Sequence, residues 1–520
     1  MISNPIHHDA LFLLIKSLEP YEKRHFKLYM KRLSDFDSFK VIQLFITIEN
    51  LKKYDEKFIL KKNPQIQKKQ LSNLKANLYH SILVCLRLIK QKENIELQLH
   101  EQLDFAKIVY NKGMYLQSLK ILSKIKEQSI HYNQVTYLTQ ALFLEKKIES
   151  LHITRSMEQR AQDLIQESTM ATQLLTNITL LSNHSLQLYS WYIKNGFVRN
   201  KADLDYINNY FINEVEPLGK KLEGFYEKSY YYQCHSWYSI IIQDFLYFYK
   251  YARKWVELFD FYPEMIYHET ILYIKATHNL LTALFNIKKY DDFKKHLQEF
   301  EKFSNEKWVN TITNNKIQCF VYLNTAKINQ CVLEGEFKKG VELIPVLNKE
   351  LQFYDLYLDR HRIMVFYYKF ASLYFANGNY ETCIDYLNKI INYKANLRTD
   401  IQCYARFLLL IAQYELENDY IIPYLIRSVY RFLIKMQNLN LVEQEILSFL
   451  HQFFHIDQSK ILDSFQKLLD TLKEIEKKKI DNRAFMYLDI VAWLESKLTK
   501  TTIPKIIQER MKSKSSLNYE

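Results

Sequence analysis

Apolar residues recur along this chain at spacings of three and four, in runs separated by very short polar breaks. Residues 371–390 are the clearest instance. Ala371 and Tyr374 precede Gly378 by seven and four positions, and Tyr380, Cys383, Leu387 and Ile390 follow it at intervals of three, four and three. At about 3.6 residues per turn, this spacing puts one apolar stripe on each of two helices. Gly378 falls between them, where a helix ends most easily on a left-handed residue, and Asn379 is also at ease there. Small residues at 371 and 383 let the two helices approach closely. The segment predicts a helical hairpin.

The same figure recurs. Around Gly113 it is carried by Ala106, Val109, Tyr115, Ser118, Leu122 and Ile125, and around Gly335 by Ile328, Cys331, Phe337, Gly340, Ile344 and Leu347. In a further copy Asn418 stands in for the glycine, with Tyr414 before it and Tyr420 after, and Pro423 falls in the first turn of the next helix, where proline is tolerated. A fainter copy has Tyr290, Phe293, Leu297 and Phe300.

The turn glycine, the aromatic two residues after it and the small residue three further on resemble the tetratricopeptide repeat family, whose helical hairpins of about 34 residues stack side by side. The chain departs from that pattern at Ile125, Leu347 and Ile390, where the family prefers alanine, and at Ile328, which replaces a small residue. The turn positions 335, 378 and 418 are also 43 and 40 apart. The resemblance covers residues 97–130 and 320–435. It implies a right-handed α-α solenoid in which each hairpin covers the apolar face of its neighbour.

Outside the repeats, residues 134–195 predict two long helices ending at a turn near Gly196. Residues 1–95 show no repeat and form a separate, basic helical region. Pro20 starts one of its helices, and Leu71, Leu74, Leu78, Ile82, Cys85 and Ile89 share a face of another. The expected organisation is therefore a helical N-terminal region (1–95), a repeat array (96–470), and C-terminal capping helices with a frayed basic tail (471–520). Seven glycines and eight prolines in 520 residues, with 48% apolar residues, fit an all-α chain.

The net charge of +13 sits at the two ends of the chain. Most of the basic residues are lysine, whereas arginine, with its planar fork, would be the stronger sign of phosphate or base recognition. The six cysteines are scattered without a CxxC pair, so they read as reduced, buried, small apolar residues. No run of about 18 apolar residues occurs, and Ala10–Ile15 is too short for a signal peptide. The expectation is a cytoplasmic protein with no membrane partner.

Candidate chemistry is sparse. Gly219–Gly224 and Gly335–Gly340 have phosphate-loop spacing, but Phe225-Tyr226 and Val341-Glu342 stand where that loop needs Lys and Ser or Thr. His451 and His455 lie at i, i+4 in "HQFFH", where a zinc protease would carry a glutamate in place of Gln452, and His7-His8 offers no more. The chain is read as no enzyme, with no catalytic residue, cofactor or metal.

Two features stand above this background. Residues 225–262 hold 16 aromatics in 38 positions. Three successive residues sweep about 200° of a helix, more than one buried stripe absorbs. Tyr230, Tyr231, Tyr232, Tyr247 and Tyr249 are therefore candidates for a partner groove, with packing between hairpins as the alternative. The second is a basic surface. Lys23, Lys27 and Lys31 repeat at i, i+4, i+8 beside Arg24, and Lys68 and Lys69 belong to a second cluster. It reads as a solvated helix face or as a surface for an acidic protein or nucleic acid. The function expected is a non-enzymatic scaffold or adaptor that holds a protein or peptide segment in the solenoid groove. The alternative is a nucleic-acid-associated regulator that uses the basic N-terminal helices, with the solenoid as sensor.

Overall fold

The structure is a computed structural model that describes residues 9–33, 36–152, 157–198, 200–355, 357–393, 399–435, 441–453, 461–477 and 489–517. The fold is all-α, with no strand among the described residues. The chain divides into two compact units, residues 1–171 and 172–520.

In the first unit, α1 (Ala10–Ser17), α2 (Pro20–Leu33), α3 (Phe36–Asn50), α4 (Glu56–Lys62) and α5 (Lys68–Lys90) enclose one apolar core. Pro20 opens α2 as expected. The predicted face of α5 is inside, with Leu71, Leu74, Leu78, Ile82 and Cys85 buried and Ile89 half-buried. Helices α6 (Ile95–Asn111), α7 (Tyr115–His131) and α8 (Val135–Leu151) share a second core around Leu99, Ala106, Leu122 and Ile148. The α6–α7 turn shows why its positions need small residues. The Ser118 hydroxyl donates to the Ala106 carbonyl at 2.9 Å, a contact that a larger side chain would push apart. Helix α9 (Met157–Asn195), 39 residues long, carries the boundary between the units.

The second unit opens with α10 (Lys201–Tyr210), a π-helical turn and a 3-10 turn. It continues as α11 (Phe225–Ile242), α12 (Phe245–Phe261), α13 (Glu264–His268), α14 (Thr270–Asn286), α15 (Tyr290–Ser304) and α16 (Lys307–Thr311). Then come α17 (Thr313–Glu334), α18 (Phe337–Phe353), α19 (Arg360–Ala376), α20 (Tyr380–Ile391), α21 (Thr399–Glu415) and α22 (Ile422–Lys435). The unit ends with α23 (Leu441–Phe453), α24 (Ile461–Lys477), α25 (Ile490–Thr499) and α26 (Ile503–Leu517). From α11 onward the helices pair as antiparallel hairpins that pack on their sequence neighbours.

The repeat is written most clearly in the backbone. Asn133, Gln243, Lys288, Gly113, Gly335, Gly378 and Glu417 all have left-handed φ, between 56° and 80°. At each, the residue's own N–H bonds the carbonyl three residues back, and the next N–H bonds the carbonyl five residues before it. This double closure satisfies the last free carbonyls of the preceding helix. In the second unit the turns stand at 243, 288, 335, 378 and 417, 39 to 47 residues apart. Gly378 takes the conformation expected of it. At the copy near 418 the left-handed residue is Glu417, not Asn418. The whole turn is shifted by one position, α22 starts only at Ile422, and Tyr420 is 83% exposed rather than packed.

Helices far apart in the chain also meet. Trp493 on α25 donates its indole N–H to Glu415 Oε1 at 2.7 Å, beside a 2.5 Å ion pair from Lys497 to the same carboxylate. Helix α26 then returns to α17, where Gln508 Nε2 bonds the Gly335 carbonyl at 3.3 Å. A side chain at Gly335 would lie 2.9 Å from the Pro504 carbonyl oxygen, so glycine is needed there for the close approach as well as for φ.

Candidate ligand-binding cavity

Helices α14, α17 and α19 are the first members of three successive hairpins, and they pack in sequence. Each is largely apolar, yet each carries one polar stripe at helical spacing. The stripe is Lys275, His278, Asn279 and Thr282 on α14; Gln318, Tyr322, Thr325 and Asn329 on α17; and Arg362, Lys369 and Ser372 on α19. The three stripes meet around a cavity of about 1580 Å³. Trp237 of α11 and Phe285 add aromatic surface, and Ile503, Ile507 and Arg510 of α26 contribute to the wall. The return of α26 onto α17 thus helps to define the cavity.

Tyr322 is the hub of the polar groups. The His278 ring stacks on it at 4.2 Å between centroids. The Arg362 guanidinium lies 5.6 Å from the same ring and donates to the Tyr322 hydroxyl at 3.2 Å. Lys369 Nζ donates to Asn329 Oδ1 at 2.6 Å and sits 6.0 Å from the Phe285 ring. Lys275 Nζ reaches Gln233 Oε1 at 3.3 Å and lies 5.8 Å from the Trp237 ring.

These cations are held at an electrostatic cost. The surface that Lys275, His278 and Lys369 keep opens onto the cavity, and protein surrounds each of them. Burial lowers Lys275 from 10.5 to about 8, with the Arg362 charge adding to the effect, and burial lowers Lys369 to about 8. Burial brings His278 down to about 3, helped by the charges of Lys369, Arg362 and Lys275, so its imidazole is neutral at physiological pH. Among the described residues no carboxylate acts on either lysine. The cavity lining thus holds more lysine and arginine than carboxylate, Asp291, Asp292, Asp359 and Asp489 being its acidic members, and it is partly aromatic and rich in amide side chains.

The tyrosines singled out from the sequence lie elsewhere. Tyr230, Tyr231, Tyr232, Tyr247 and Tyr249 are half-buried, and none lines the cavity. The Tyr231 ring fills the space beside Gly219, Tyr232 packs with the Phe225–Trp255 cluster, and Tyr249 lies under the Lys289 ammonium at 4.9 Å. Tyr247 shares a 2.8 Å hydrogen bond with His235 Nδ1, and the His235 ring is stacked on Tyr251 at 3.7 Å. Burial pushes Tyr231 up to about 12 and lowers His235 to about 3.

Of the basic residues on α2 and α5, Arg24, Lys31, Lys68 and Lys69 are exposed and Lys23 is half-exposed. Lys27 is neutralised by Glu49 at 2.7 Å. His451 lies exposed on α23, while His7, His8 and His455 fall outside the described residues. Among the described residues no group of three or more His, Cys, Asp or Glu side chains is placed to hold a metal ion. The six cysteines are free and buried. Gly219 belongs to the 3-10 turn, Gly224 precedes α11, and Gly340 lies inside α18 against Leu373, so neither glycine pair forms a phosphate loop. No helix among the described residues is long and apolar enough to cross a membrane.

Sequence reasoning missed Lys275, His278, Arg362 and Lys369. A signal was present for the two lysines. Lys275 is the one lysine, arginine or carboxylate residue in "TILYIKATHNLLTALFN", and Lys369 is the one in "MVFYYKFASLYFA". A single charge in an otherwise uncharged stretch of helix has no solvated face of its own, so it faces either a partner or a cavity.

No family model matches this chain, and comparison with curated proteins and with solved structures likewise finds no match.

Proposed function

We propose that this chain is a tetratricopeptide-like helical-repeat protein, a right-handed solenoid in its second unit, that acts without catalysis by holding a peptide segment of a partner protein in the cavity between α14, α17 and α19. The observation that carries this reading is the convergence of three polar stripes on one chamber. Asn279, Asn329 and Gln318 each offer both a donor and an acceptor, which suits the alternating N–H and C=O groups of an extended backbone. Trp237, Tyr322 and Phe285 offer rigid surfaces for apolar side chains. The volume exceeds the roughly 300–1,000 Å³ of ordinary small-molecule pockets, as a site for several residues must. The regular spacing of the left-handed turns supports the solenoid reading.

The test is selection of a random-peptide display library on the full chain, in parallel with Thr325→Trp, which adds an indole to the cavity wall on α17. Peptides enriched on the wild type should be lost on the variant. Equal enrichment on both, or none on the wild type, refutes the reading.

A further inference from the structure

Arg362 is partly neutralised by Asp359, 3.4 Å away. Among the described residues the hydrogen-bond partners of Lys275 and Lys369 are the amide oxygens of Gln233 and Asn329, with the rings of Trp237 and Phe285 beside them. Burying an ammonium group without a counter-charge works against folding, and the apolar neighbours of both lysines along their helices would pack as well around a methionine. The amide and ring contacts offset only part of this cost in the free protein. Such a charge is what an anion site looks like before its ligand arrives, because the repulsion is relieved on binding.

The number and placement of the groups narrow the anion. The two lysines come from different helices, α14 and α19, and line one cavity with Arg362, whose guanidinium lies over the Tyr322 ring on which His278 stacks. Asn329 and Tyr322 add polar groups from the third helix, α17. A carboxylate is planar and balances one charge. A phosphate monoester carries about two negative charges at neutral pH, and its oxygens accept hydrogen bonds from several directions. We propose that the cavity binds a phosphate monoester group between Lys275, Lys369 and Arg362, with the rest of the ligand lying in the remaining volume. This rests on the cavity being a ligand site, but not on the ligand being a peptide. A phosphorylated segment and a free organic phosphate present the same group to the lysines.

Calorimetric titration of the full chain with O-phosphoserine, a phosphoserine peptide, its unphosphorylated form and succinate tests the assignment. Saturable binding of the phosphorylated ligands is expected. Lys275→Met and Lys369→Met should each weaken it about tenfold or more, the effect of losing one charge-assisted hydrogen bond, while Lys338→Met, on the exposed face of α18, leaves it unchanged. The two cavity variants lose an unfavourable buried charge, and their melting curves check that they are folded. The comparison of phosphoserine with succinate needs no variant. Tighter binding of the phosphopeptide than of phosphoserine assigns the group to a segment, and equal binding assigns it to a small molecule; either supports the site. The proposal is overturned if no phosphorylated ligand saturates, if succinate binds equally well, or if Lys338→Met weakens binding as much as the cavity variants. Succinate binding alongside peptide enrichment would remove the phosphate assignment alone, whereas phosphate binding without peptide enrichment would remove only the segment reading.

Discussion

Replacing Lys369 by methionine should make the second unit more stable near pH 7, although it removes a hydrogen bond. Lys369 Nζ has Asn329 Oδ1 as its partner, 2.6 Å away, and among the described residues no carboxylate acts on it. Burial lowers the ammonium from 10.5 to about 8, which corresponds to on the order of 3 kcal/mol against the charged form. Methionine keeps the unbranched shape without the charge. Leaving Asn329 Oδ1 without its donor costs about 1 kcal/mol, so the net gain is about 2 kcal/mol. The direction with pH follows from the lowered folded-state value. Between pH 8 and 10.5 the unfolded chain binds more protons than the folded one, so wild-type stability rises across that window, and the penalty is complete below it. The advantage of methionine should therefore be full near pH 7 and gone above about pH 10.5, the unfolded-state value. All five tryptophans, Trp191, Trp237, Trp255, Trp308 and Trp493, lie in the second unit, so their fluorescence follows its unfolding alone. For about 350 residues the gain amounts to a rise of about 3 °C in Tm. A lower Tm for Lys369→Met near pH 7, or a difference that does not change with pH, would show that the lysine is well solvated or paired and would remove the electrostatic basis of the site.

The turn glycines should rank in a defined order. Gly378→Ala meets nothing within 4 Å and should cost only the left-handed strain, about 1–2 kcal/mol, whereas Gly335→Ala also presses on the Pro504 backbone carbonyl at 2.9 Å and should lower the tryptophan-detected Tm further. Equal effects would show that α26 does not pack on this turn. In the first unit Glu145, buried on α8, is bonded by Lys126 at 2.8 Å and by Arg160. Glu145→Gln should cost about 3 kcal/mol at neutral pH, read by faster hydrogen exchange of α8 amides. The two cations hold the Glu145 carboxyl below its usual value of 4.5 although burial opposes them. Its contribution is thus present above pH 4.5 and lost as pH falls through the folded value, so variant and wild type should converge in acid.

Helix after helix is legible in the chain because a 3.6-residue apolar period is a local property, as α5 and the Gly378 hairpin show. The repeat was most legible where its turn residue was glycine. Gln243, Lys288 and Asn133 adopt the same left-handed turn, but a non-glycine residue accepts that strain for about 1 kcal/mol once the helix pair around it is packed, so the side chain does not announce it. At Glu417 the same tolerance moved the turn by one residue and left Tyr420 in solvent.

The density of tyrosines between 225 and 262 is plain in the sequence, but whether those rings face a groove depends on what packs against α11 and α12. That packing placed Tyr231 against Gly219 and Tyr247 on His235, away from the cavity. The cavity was hidden for a related reason. Lys275, Tyr322 and Lys369 stand about 47 residues apart along the chain, and each is one polar residue on its own helix. Sequence fixes which face of each helix is apolar, whereas the stacking of α14, α17 and α19, with α26 returning from the far end of the chain, decides that their polar stripes share one cavity. Enclosure is what lowers the lysines to about 8, because the cost of a charge depends on everything around it, and only the tertiary structure sets those surroundings.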